Sequence, residues 1–85
     1  MARLLVFAER RVDLEARPAY LADVRARQAT AAASGAHFWV FEHAGESGRF
    51  VEFTEGGSEE AVRLVAGTSG DDHAPLALWR EVQGG

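Results

Sequence analysis

Residues 35–43 read GAHFWVFEH, Gly35 to His43, with Phe38, Trp39, Val40 and Phe41 in an unbroken apolar row between two histidines. A strand at the surface of a small domain alternates apolar and polar residues, because successive side chains point to opposite faces of the sheet. Here the alternation fails, so both faces of the strand need cover. By the period of two, His37, Trp39, Phe41 and His43 share one face and Phe38, Val40 and Glu42 the other. One set meets the interior of the domain and the other meets something else, and the sequence leaves open which is which.

The neighbouring segments repeat the pattern. RLLVFAER, Arg3 to Arg10, is apolar in both alternate sets, Leu4, Val6 and Ala8 against Leu5 and Phe7, and reads as a strand covered on both sides. Asp13 is placed to cap a helix and Pro18 fits the first turn of one. A long helix is expected to run to about Ser34, with Tyr20, Leu21, Val24, Ala31 and Ala32 forming a stripe that Gln28 interrupts. Gly35 is placed as the left-handed residue that ends it.

Gly45-Glu46-Ser47-Gly48 supplies turn residues between the strand at 37–43 and a third at 50–55. Ser58 is a second cap, with Glu59 and Glu60 in the first turn of a short helix to about Ala66. Residues 67–75, GTSGDDHAP, form a loop, and residues 76–82 the last strand, apolar as Leu76 and Leu78 on one face and Ala77 and Trp79 on the other. The order βαββαβ is the ferredoxin-like arrangement, an α+β fold in which one four-stranded antiparallel sheet carries two helices on one face. The expectation is a single domain over residues 1–85.

Composition narrows the chemistry. The chain has 85 residues, 47% apolar and 26% charged, with a net charge of -4. A chain of this length hides only about 60% of the surface its unfolded form exposes. The acidic balance offers no basic stripe for a phosphate backbone, so nucleic acid is not an expected partner. No apolar run is long enough to span a bilayer, and the start MARLLVFAERR lacks the features of a signal peptide, so the expected location is cytoplasmic. The absence of Cys and Lys removes thiolate nucleophiles, disulfides and side-chain Schiff bases.

Two helices cover one face of such a sheet and leave the other bare. Removing roughly 400 to 500 Å² of apolar surface per subunit from water is worth on the order of 10 kcal/mol before association costs. A homodimer packed sheet to sheet is therefore expected.

The opening LLVFAERRV, the hairpin AHFWVFEHAGESGRFVEFTEGG and the closing LALWREV resemble the dimeric α/β-barrel superfamily, and within it the small antibiotic-biosynthesis monooxygenase-type domains. The resemblance covers nearly the whole chain and rests on element order and aromatic strands. It implies sheets meeting as a barrel across a two-fold axis, with a pocket in each subunit between sheet and helices. Members include cofactor-free oxygenases of phenolic polyketides, quinol monooxygenases, haem-degrading enzymes and cyclase-like or isomerase-like proteins. The haem-degrading branch uses an Asn, and this chain has none.

The catalytic candidates under the oxygenase reading are His37, His43 and His73, any one of which would take a proton from a phenol near neutral pH. The electron-rich anion would then pass an electron to oxygen, with no cofactor or metal. Trp39, Phe41, Trp79 and Tyr20 would wall the pocket against a small aromatic molecule, and Arg80 would meet an anionic group or pair with Glu9, Glu52 or Glu81. The plain alternative makes the aromatics core and the histidines wet strand ends. Asp71-Asp72-His73 is too compact a string to converge on one metal ion. Two further readings remain: a non-catalytic ligand-binding or dimerisation domain, and a cyclase or isomerase working by His-mediated proton transfer.

Overall fold

The computed structural model describes residues 3–71 and 73–84. Strand β1 (Leu4–Arg11) leads through a 3-10 turn (Leu14–Ala16) into helix α1 (Arg17–Ala33). There follow β2 (His37–Glu42), β3 (Arg49–Gly56), α2 (Glu59–Ala66) and β4 (Leu78–Arg80). The strands form one antiparallel sheet in the order β2-β3-β1-β4, with β1 and β3 in the centre. That order, with both helices on one face, is the ferredoxin-like fold. Among the described residues no helix is long and apolar enough to cross a membrane.

Local chemistry sets the boundaries. Asp13 does not cap with its side chain; its carbonyl accepts from Ala16 N–H and closes the 3-10 turn, and α1 begins one turn later with Pro18 in its first turn. At the other end Gly35 takes φ 74°, and Ala36 N–H reaches back to the Ala31 carbonyl at 2.9 Å, which turns the chain into β2. Gly48, at φ 84°, is needed for a second reason. A Cβ there would lie 2.6 Å from the Val12 carbonyl oxygen, and the close approach lets Val12 N–H donate to the Gly48 carbonyl. Ser58 caps α2 by accepting from Ala61 N–H at 3.2 Å.

The expected strand over 76–82 is shorter than the sequence pattern implies. Leu76 N–H is committed to the Thr68 carbonyl and Pro75 bridges to Ser69, so the preceding loop folds on itself. Only residues 78–80 pair with β1, opposite Leu4, Leu5 and Val6. Among the described residues no strand lies beside the outer edge of β1 beyond Val6.

The core lies between helices and sheet in two clusters. Under α1 are Val24, Ala31, Ala36, Phe38 and Val65, with Tyr20 and Val40 against them. Under α2 are Val6, Val62 and Ala66, with Leu4, Leu76 and Leu78. Ala32, expected on the buried stripe, is exposed, because the helix meets the sheet along Val24 and Ala31.

Candidate functional site

The strand faces resolve the parity. Phe38 is buried under α1, whereas His37, Trp39 and Phe41 lie on the face without helices. Register then places the other open-face residues: Phe7 lies opposite Phe53 and Phe53 opposite Trp39, with Val51 beside Phe41 and Trp79 beside Leu5. The rings touch one another. Phe7 and Phe53 are 5.2 Å apart between centroids, Phe41 and Phe53 6.0 Å, and the His37 ring stacks on Trp39 at 5.5 Å and 12°.

Strand β3 carries the most informative contrast. Its alternate sets are Phe50, Glu52 and Thr54, and Val51, Phe53 and Glu55. The first set, Glu52 included, is buried against the helices, while the second stays partly open. An inward carboxylate demands partners. Glu52, 2% exposed, accepts from the Tyr20 hydroxyl at 2.6 Å, from both terminal nitrogens of Arg27 at 3.2 and 3.3 Å, and from Arg10 Nε at 3.3 Å. Arg27 also lies over the Phe38 ring at 4.4 Å and donates to the Val65 carbonyl. Among the described residues no buried side-chain nitrogen or oxygen lacks a partner. Burial, then the adjoining Glu52 carboxylate, pushes the Tyr20 hydroxyl well above the ordinary tyrosine range.

The sequence candidates therefore do not converge on one pocket. Tyr20 sits inside, against Phe50 and Glu52. His37, Trp39, Phe41 and Trp79 sit outside on the bare face, and the space beneath the helices is occupied by Tyr20, Phe38, Phe50 and the Glu52 cluster. His43 follows the end of β2, where its Nδ1 accepts from Gly45 N–H at 3.0 Å. His73 is exposed in the loop at φ 64°. Arg80 shares the helix-side parity of Leu4 and is exposed, and no ion pair joins it to Glu9, Glu52 or Glu81 among the described residues. Of the Asp-Asp-His string, Asp72 lies outside the described residues. Asp71 is engaged by Arg10 and by Arg11 N–H.

Sequence reasoning missed the Arg10–Glu52–Arg27 cluster as a unit. The available signal was Glu52 itself, flanked two residues away on each side by Phe50 and Thr54.

A recess of about 480 Å³ runs along the outer edge of β1, between Phe7 and Arg11 on one side and the loop residues Gly70, Asp71, Ala74, Pro75 and Leu76 on the other. No family model matches the chain, nor does any curated protein or solved structure.

Proposed function

We propose that the chain acts as a self-associating domain of the dimeric α/β-barrel type, two copies meeting through their bare sheet faces. The observation that carries this is the row of exposed rings on the sheet face without helices. The sheet turns Glu52, Thr54 and Arg10 toward its helices and Leu5, Phe7, Trp39, Phe41, Phe53 and Trp79 away from them. Phe7, Trp39, Phe41 and Trp79 are 42%, 47%, 58% and 60% exposed. At about 200 Å² for an aromatic side chain, these four alone leave roughly 400 Å² of ring surface in water.

That area is the apolar centre of an interface needing about 800 Å² per partner. Charged pairs frame it: Arg3 with Glu55 toward one end and Arg49 with Glu9 toward the other. An apolar centre with a polar rim is the ordinary anatomy of a protein interface. A second copy is the fitting occupant because the two apolar centres are then identical in extent and the rim carries both signs of charge. The test replaces Phe7 and Trp39 together by Glu. A folded monomer, with the far-ultraviolet spectrum unchanged and the light-scattering mass halved, is the expected result. A mass unaffected by the double change overturns the reading.

A second reading, cofactor-free oxidation of a small phenol, is favoured by the stacked His37 and Trp39 rings. There a base and a flat wall stand side by side on the surface that dimerisation would enclose, so the reacting space lies between two sheets. His37→Ala is expected to abolish oxygen uptake with a dihydroxynaphthalene while leaving the dimer intact. Unchanged uptake in that variant removes His37 from the chemistry.

A further inference from the structure

Among the described residues the short β4 leaves the outer edge of β1 without a strand beyond Val6, and one acidic side chain fills part of the gap. Asp71 Oδ2 accepts from Arg11 N–H at 3.2 Å, and Asp71 Oδ1 accepts from Arg10 Nη1 at 2.8 Å. A carboxylate thus stands where a neighbouring strand would present a carbonyl, gripped at two points by a backbone amide and a guanidinium. Unpaired strand-edge groups ordinarily attract such a partner.

The surroundings extend this into a site. The recess of about 480 Å³ is walled by apolar Phe7, Pro75 and Leu76, and edged by Arg11 and Arg49. With Asp71 in place each of these arginines meets at least one carboxylate. Arg11 meets Glu46 at 2.8 Å, Arg49 meets Glu9 at 2.7 Å, and Arg10 meets Asp71 while sharing Glu52 with Arg27. Withdrawing Asp71 leaves Arg11 N–H and Arg10 Nη1 without the carboxylate they share, beside an apolar cleft, while Arg10 keeps Glu52. That combination matches a monoanion with a hydrophobic body.

We propose that the position held by the Asp71 carboxylate is a binding site for small amphipathic monocarboxylic acids, which the chain occupies with its own side chain. The incoming carboxylate takes the Arg11 N–H and Arg10 Nη1 donors, and its apolar part lies on Phe7, Pro75 and Leu76. Asp71 is a competing internal ligand, so it sets the affinity. Asp71 and its two donors all belong to one chain, while Phe7 is shared with the proposed dimer face.

The probe is 3-phenylpropanoate, titrated into the full chain and followed by amide chemical shifts, with the neutral 3-phenylpropanamide as control. Asp71→Ala is expected to bind the acid roughly ten-fold more tightly than the unaltered chain, with the largest shift at the Arg11 amide, because the competing carboxylate is gone. Asp71→Asn, which keeps the shape and loses the charge, is expected to fall between the two, and it carries the test if the Ala variant does not fold. The amide should bind all three chains alike and weakly. Acid and amide binding equally well to Asp71→Ala, no gain over the unaltered chain, or shifts centred on Trp39 instead of Arg11 would each overturn the proposal.

Discussion

The two faces of the sheet differ in the partners their side chains find. The helix side holds Val6, Ala8, Phe38 and Phe50 around a cluster of Glu52, Arg10 and Arg27. The bare side holds the larger rings, Phe7, Phe53, Trp39, Phe41 and Trp79. Interior position is set by helix packing and by the ability to satisfy polar groups. Glu52 is tolerated inside because three side chains donate to it. The rings outside pack on one another and stay exposed.

The sharpest way to break this comparison is to disturb the inner face. Glu52→Ala leaves Arg10 and Arg27 without their shared carboxylate and is expected to cost about 3–5 kcal/mol. Phe38→Ala should cost a similar amount, about 3–5 kcal/mol, by opening a cavity under Val24 and Arg27. Urea denaturation at several protein concentrations checks both, and neither cost should change with concentration. Phe41→Ala, on the outer face, is expected to destabilise only through association, so its effect should shrink on dilution. A Phe41→Ala cost equal to that of Phe38→Ala and independent of concentration would erase the distinction.

Tyr20 offers a gentler probe, because it is the one tyrosine in the chain. Its hydroxyl is raised by burial and by Glu52, so the folded state holds the proton more tightly than the unfolded state. The stability this gives is complete below the unfolded tyrosine value near 10 and is lost as pH rises above it. Absorbance at 295 nm should therefore stay flat through pH about 10 while the chain is folded, and rise together with unfolding. A simple titration centred near 10 in the folded protein would contradict the inner-face geometry.

The smallest expected effect lies at the hairpin end. Arg17 and then Gly48 N–H hold the Glu42 carboxyl down to about 2. A depressed carboxylate contributes stability above its unfolded value near 4.3, and that contribution is lost as pH falls toward about 2. Glu42→Gln should flatten part of the acid limb of the melting temperature between those values. An unchanged acid limb would leave the pair without a role in stability.

Much of the fold was legible because its signals are local. Gly35 at a left-handed helix end, Ser58 as a cap and the Gly45 to Gly48 turn each carry their structural reason in the residue itself. The apolar row at 38–41 marked a strand, of which the helices bury Phe38 while Trp39 and Phe41 stay exposed. Side assignment was not legible, since a period of two is silent about which set faces inward, and that depends on how α1 packs across the sheet. The last strand read too long because Leu76, Ala77, Leu78 and Trp79 look continuous, while backbone bonds from Leu76 to Thr68 draw its first part into the loop. The Glu52 cluster was hidden because its members, Arg10, Tyr20, Arg27 and Glu52, come from three separate elements.

Sedimentation equilibrium on the unaltered chain over micromolar concentrations tests the central claim most directly. The two-faced sheet predicts twice the 9.2 kDa chain mass, falling toward 9.2 kDa only on strong dilution. A single species of 9.2 kDa throughout that range would contradict it.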